Sequence, residues 1–254
     1  MSLNKKTMRN FKGVALVLTG LLLAAPAAYA EDEVKTLPFA DNASNTASVQ
    51  RGARDFMAYC SGCHSLKYLR YNRIGQDLGI SDDLLKQNLI FSGVKVGEPI
   101  VSAIPAKSAE DWFGRVPPDL SLETKARSPE WVYSYLMGFY LDSSRPFGVN
   151  NLYLANVAMP AVLGELQGWQ VKVEEGKGEG EHHEGLPLKL AQPGSMTPEE
   201  YKAFVTDLTN FMVYAAEPNA KDRVSTGWNV MFYLIFLLLP LTYFLKKEFW
   251  RDVH

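Results

Sequence analysis

Cysteine is nearly missing from this chain. Among its 254 residues there are two, Cys60 and Cys63, which excludes a scaffold stapled by several disulfides. A surplus of positive charge is missing as well. The chain sets 26 Lys+Arg against 28 Asp+Glu, a net charge of −2, where a nucleic-acid binder should show a strong basic excess. Histidine is scarce: of four, His182 and His183 lie in a charged stretch and His254 ends the chain, so His64 is the one placed beside the cysteines. No internal repeat and no long alternating strand pattern is visible. What is present is apolar material, 47% hydrophobic and 12% aromatic, enough for a core and too much for a disordered chain.

The mean hydropathy of −0.11 averages over two apolar runs, one near each end. Lys5, Lys6, Arg9 and Lys12 precede the apolar stretch Val14–Ala25, and Ala28-Tyr29-Ala30 puts small residues where a signal peptidase reads them. Residues 1–30 are therefore expected to be a cleaved signal peptide, the apolar run being short for a membrane span. Toward the other end, Trp228–Leu245 is 18 residues without a charge. With Thr226 and Gly227 it approaches the ~20 residues that cross a bilayer as a helix. Trp228 and Trp250 stand where interfacial aromatics belong, and Lys246, Lys247 and Arg251 follow on the side expected to face the cytoplasm. Pro240 is tolerated inside such a helix as a kink.

The expected organisation is thus a signal peptide (1–30), an exported domain (31–225), a transmembrane anchor (226–246) and a cytoplasmic tail (247–254). On these boundaries the near-neutral charge is a sum over compartments. The first 30 residues hold four basic side chains and no acidic ones, so the remainder carries −6. Setting the tail aside leaves about −7 on the exported side, from 19 basic and 26 acidic residues.

The exported domain reads as mainly α. Residues 31–47 are small and polar and are expected to form an extended arm, with helix from Ser48 toward the cysteines and Ser65. Ser81 caps a helix whose first turn holds Asp82 and Asp83. The stretch 92–127 is rich in Gly and Pro and is expected to be mostly loop. Ser128-Pro129-Glu130 opens a helix on which Trp131, Val132, Tyr135, Leu136, Phe139 and Tyr140 recur with helical period. Thr197-Pro198-Glu199-Glu200 is a capping box before a continuous apolar face that ends at Glu217-Pro218. Gln170–Val173 is expected to be a short strand.

Cys60-Ser61-Gly62-Cys63-His64 is the C-x-x-C-H arrangement that attaches c-type haem. Thiols one helical turn apart reach the two vinyl groups on one porphyrin edge, and the adjacent histidine is held beneath the iron as proximal ligand. A zinc site would want further Cys or His, and a redox dithiol would not need His64, nor does a βαβ pattern surround this one. For the second axial ligand, the remaining histidines are badly placed, so a methionine is expected, giving an iron suited to electron transfer. Met1 and Met8 lie in the signal segment, Met231 in the anchor, Met57 one turn before the cysteines, and Met137 and Met212 on core faces. Met159 and Met196 remain, with an open site as the third alternative. Met159 is favoured because Pro160 follows it and stiffens the backbone.

Beyond that motif, Cys60–Arg73, Pro117-Pro118-Asp119-Leu120-Ser121 with Ala126-Arg127, Met159-Pro160 and Ala215-Ala216-Glu217-Pro218 before a single anchor resemble, in this order, the cytochrome c1 family. The resemblance covers nearly the whole chain after residue 30. It implies a cytochrome c-like haem domain with long loops plus one C-terminal transmembrane helix, in a bacterial inner membrane with the haem domain in the periplasm. It implies one covalent haem c with His64 and Met159 as iron ligands, Pro118 on the haem face and Arg127 near a propionate. Where the family has a tyrosine near that propionate, this chain has Trp131. The implied role is the haem c subunit of ubiquinol–cytochrome c reductase, moving electrons from the Rieske iron–sulfur protein to a soluble cytochrome c, beside cytochrome b in a dimeric complex. The alternatives are a stand-alone membrane-tethered c-type cytochrome feeding another periplasmic reductase and a peroxidase-like enzyme with an open distal site. The acidic stretch 174–184 reads either as a docking surface for a basic cytochrome c or as a solvated insertion, and His182-His183 within it as a weak metal pair.

Overall fold

The computed structural model describes residues 35–173 and 186–252. The signal segment, the acidic stretch 174–184 with its histidine pair, and His254 lie outside the described residues. Helices α1 (Thr46–Tyr59), α2 (Tyr71–Leu78), α3 (Asp82–Asn88), α4 (Ala106–Phe113), α5 (Glu123–Ala126), α6 (Pro129–Met137), α7 (Gly164–Gln167) and α8 (Pro198–Ala216) make up most of the domain. Three antiparallel ribbons interrupt them: β1 (Leu66–Arg70) with β2 (Pro99–Ile100), β3 (Phe139–Leu141) with β4 (Val149–Asn151), and β5 (Gly168–Lys172) with β6 (Leu188–Pro193).

The centre of the core is the crossing of α1 and α8. Val49, Ala53 and Phe56 on α1 are buried against Leu208 and Phe211 on α8, the Phe56 and Phe211 rings 5.5 Å apart. Full burial of each large side chain there stabilises the fold by about 1.5–3 kcal/mol. The helices meet this closely because Gly52 has no side chain: a Cβ there would stand 2.7 Å from the Asp207 carbonyl carbon and 2.8 Å from the Phe211 Cβ. Beside the crossing, Asp207 accepts hydrogen bonds from Ser48 Oγ at 2.6 Å and from Arg51 Nη2 at 2.9 Å. Asn45 caps α1 by accepting from the Ser48 amide. The chain leading into it is pinned, the Leu37 amide donating to Ser134 Oγ and the Asn42 amide to Asn210 Oδ1, both at 2.8 Å.

The Ser81, Ser128 and Thr197 caps are all formed, the last as a full capping box with Glu200, and α8 ends before Glu217-Pro218 as the sequence predicts. Two expectations are refined and a third is corrected. Helix α1 runs up to the cysteines as expected, stopping at Tyr59, and the segment on to Ser65 is a tight turn and extended chain. The stretch 92–127 is mostly loop as expected, but it also holds α4 and the one-turn α5; α4 starts behind Pro105 and ends at Gly114, whose φ of 71° suits glycine, so these two residues bracket a helix. Helix α6 ends at Met137, and Phe139 and Tyr140 belong to β3, because Gly138 breaks the helix where the Tyr153 ring packs close.

Beyond Asn219, Ala220–Phe249 runs as a helical rod of 30 residues, long and apolar enough to cross a membrane. It comprises α9 (Ala220–Tyr233), a π turn (Leu234–Leu238) and α10 (Leu239–Phe249). The π turn has a local cause. Pro240 lacks an amide hydrogen and its ring would press on the carbonyl of Phe236, so widening that turn relieves the clash. Only Glu217, Pro218 and Asn219 separate α8 from the rod, and these residues are tied down: Lys125 on α5 and Arg223 on α9 both pair with Glu217, while Arg73 on α2 donates to Asn219 Oδ1 at 2.7 Å. Both cations hold the Glu217 carboxyl below its ordinary range.

Candidate functional site

The end of α1 delivers Cys60, and the amides of Cys63 (3.0 Å) and His64 (2.8 Å) both turn back onto the Cys60 carbonyl. Ser102 straps this turn from outside, its hydroxyl donating to the Gly62 carbonyl at 2.8 Å. The chain after His64 is then zipped to Pro117–Ser121. The Leu120 amide donates to the Ser65 carbonyl (2.9 Å), the Lys67 amide to Asp119 (3.0 Å) and the Tyr68 amide to Ser121 Oγ (3.2 Å). Burial alone would raise the Asp119 carboxyl, but hydrogen bonds from Ser121 and Lys67 outweigh it and hold it low.

This zipper puts the Pro118 carbonyl 2.8 Å from His64 Nδ1. A carbonyl can only accept, so Nδ1 carries the proton and Nε2 keeps a free lone pair. Burial holds the imidazole below its ordinary value, against the opposing pull of the Pro118 carbonyl, Glu123 and Asp119, and so keeps it neutral and able to ligate. Burial also pushes the Cys60 thiol up to about 12 and raises Cys63. Both cysteines are free.

Met159 arrives from the other side on the loop after β4. Asn150, at the middle of β4, is buried, and its Oδ1 accepts from the amides of Asn151 (3.0 Å), Asn156 (3.0 Å) and Val157 (3.4 Å). Its Nδ2 donates to Asp142 at 2.9 Å. Asn156 sits at φ 59°, a left-handed turn that asparagine tolerates, and receives Arg145 at 3.0 Å on its Oδ1. These bonds fix the backbone just before Met159.

Two adjoining cavities, of about 550 and about 1000 Å³, share Cys60, His64, Arg115, Pro118, Ala158 and Met159 in their walls. Cys63 lines the smaller one, and Arg127, Trp131, Tyr135 and Met212 line the larger. All six residues singled out in the sequence therefore face one region. Met196 lines neither cavity; its amide is bonded to the Leu166 carbonyl at 3.1 Å and its side chain packs at the edge of the core. Two free thiols, a neutral imidazole with Nδ1 already occupied, and a thioether around an apolar space form a donor set that fits haem c.

Arg127 stacks on Trp131, 4.2 Å from the ring centroid, and pairs with Glu123 at 3.2 Å. Trp131 is stacked in turn on Tyr135, with centroids 5.1 Å apart and planes 14° apart. The helix bearing both rings begins at Ser128, held at φ 150°, where a non-glycine residue is strained. Sequence reasoning missed two residues. Arg115 is a second cation facing both cavities, and no motif marks it. Tyr135 places its hydroxyl 3.5 Å from the Met159 sulfur, but its helical spacing reads only as core. Burial pushes that phenol up, so it stays protonated.

Residues 95–253 match the model of the Cytochrome C1 family. Cytochrome c1 of Allochromatium vinosum is 48% identical over 241 residues, covering 94% of this chain and 98% of its own. The chain belongs to the cytochrome c1 family. Other relatives are the ammonia monooxygenase gamma subunit of Nitrosomonas europaea, 45% identical over 95% of this chain and 99% of its own, and cytochrome c1 of Rhodospirillum rubrum, 29% identical over 81% of each. The matched region holds Pro118, Arg127, Met159 and the apolar rod, and begins after Cys60, Cys63 and His64. As a member of this family, the chain is a membrane-anchored electron-transfer subunit of the bc1 complex. The family implies covalently bound haem c, with cytochrome b and a Rieske protein as partners in a membrane complex.

Proposed function

We propose that Cys60 and Cys63 carry the thioether bonds of one haem c, that His64 Nε2 and the Met159 sulfur are its axial ligands, and that the chain passes electrons from the Rieske protein to a soluble cytochrome c. The observation that carries this reading is His64, held by the Pro118 carbonyl with Nε2 free, in the same cavity walls as Met159 and both thiols. Haem, when bound, supplies the one-electron iron couple. The chain itself does no acid–base or nucleophilic work. Pro118 fixes the tautomer and orientation of His64, which also raises its strength as a ligand. The Asn150 clamp brings Met159 to its place. Arg127, backed by Trp131, and Arg115 supply positive charge for a propionate, with Glu123 as the competing anion. The apolar walls exclude water, and low dielectric favours the less charged state of the couple.

In this reading residues 1–30 are removed, 31–225 lie in the periplasm, 226–246 span the inner membrane and 247–254 reach the cytoplasm of a dimeric complex. The experiment is Met159→Leu in the assembled complex. It should abolish the sulfur-to-iron absorption band and lower the midpoint potential while the haem stays covalently attached; an unchanged spectrum excludes Met159. Purification in mild detergent addresses the assembly, since isolation with no b-type haem and no Rieske protein favours the stand-alone tethered cytochrome instead.

A further inference from the structure

Tyr135 is a polar group in the wall of the larger cavity to which neither haem attachment nor iron ligation assigns a task. Its side chain has little freedom. The ring lies on Trp131, meets Phe139 edge-on at 5.2 Å and 74°, and its backbone carbonyl accepts from Asn151 Nδ2 at 2.8 Å. The Met159 sulfur, at 3.5 Å, is the one hydrogen-bond partner of its hydroxyl among the described residues. The residue is partly buried, so a phenol that lost this partner would be left poorly solvated. A thioether is a weak acceptor, so a fold that aims a phenolic O–H in this cavity wall at a sulfur has oriented it toward that atom.

We propose that Tyr135 is a positioning residue for the electron-transfer couple, its O–H held on the Met159 sulfur so that the sulfur keeps its place and the couple is biased toward the reduced state. This rests on Met159 being the axial ligand. The sulfur has two lone pairs, one for the metal and one free for the phenol. A proton donor on the second pair draws density out of the sulfur and weakens its donation, which costs the oxidised state more than the reduced one. Hydrogen bonding around an axial ligand is one of the few levers a protein has on such a couple.

Tyr135→Phe removes the oxygen and keeps both ring contacts. In the assembled complex the variant should retain the sulfur-to-iron band and shift the midpoint downward, by up to about tenfold in the reduced-to-oxidised ratio, or about 59 mV for one electron. In the native complex, transfer to heavy water should shift the sulfur–iron vibration, and the variant should lose that isotope shift. A merely structural role moves neither quantity. A Phe variant with the band in place and an unchanged midpoint overturns the inference. Should the variant fail to assemble, the native isotope shift decides alone, and its absence overturns the inference too. A native complex with no sulfur-to-iron band is a different failure: it removes Met159 as ligand, and this inference with it.

Discussion

Asp142 and Asn150 face each other across the β3–β4 hairpin, the carboxylate accepting the side-chain amide at 2.9 Å. That single bond fixes which way the Asn150 amide points, and so aims its oxygen at the backbone leading to Met159.

Replacing Asn150 with Ala leaves three backbone amides without their acceptor, two of them in the loop before Met159. Each unsatisfied buried donor costs about 1–3 kcal/mol, partly recovered where water enters. Denaturant unfolding should show a loss of at least about 1 kcal/mol, and the sulfur-to-iron band should weaken as the loop loosens. Full retention of both would show that Pro160 alone holds Met159.

Acid should act through the same pair. Hydrogen bonds from Ser144 and Asn150 hold the Asp142 carboxyl below its ordinary value. A depressed acid contributes stability that is present above the unfolded value, roughly pH 4, and is lost as pH falls through the folded one. Below roughly pH 4 the native protein should therefore lose stability more steeply than Asp142→Asn does. Parallel pH curves for the two would remove Asp142 from the account.

Gly52→Ala tests the crossing that presents the cysteines. The added methyl meets Asp207 backbone and the Phe211 Cβ, neither of which is the far end of a flexible chain. Overpacking of this kind costs about 1–3 kcal/mol. Thermal unfolding should move down by several degrees, and haem attachment during assembly should fall because α1 is displaced.

At the membrane end, Glu217→Gln removes the anion shared by Lys125 and Arg223. These pairs are exposed, so global stability should hardly change. Spin-label distances between the haem domain and the rod should broaden instead; an unaltered distribution would mean that Pro218 and the Arg73–Asn219 bond suffice.

Features that depend on neighbours in sequence were legible before any fold was known. The caps at Ser81, Ser128 and Thr197 need only a side chain and the next few amides, and the apolar rod needs only its own composition. The haem motif is likewise local, since two thiols and an imidazole act within one turn. Long-range pairings were not legible. Nothing near Asn150 signals that its oxygen will collect three amides, and Tyr135 shares the spacing of ordinary core residues on its helix. Helix α4 was hidden because Pro105 and Gly114, which delimit it, are the same residue types that fill loops. Gly138 ended α6 against a helical pattern that ran on through Tyr140, because close packing at that point outweighed periodicity.

The ties at Glu217 and Asn219 bear on how this carrier meets its partners. A cofactor domain on a slack tether samples many heights and tilts above the bilayer, and each encounter must wait for a productive one. Here Glu217 ties α5, in the wall of the larger cavity, to the first turn of the apolar helix. Such ties narrow the range of attitudes open to the domain above a bilayer, and with it the search that each encounter has to make.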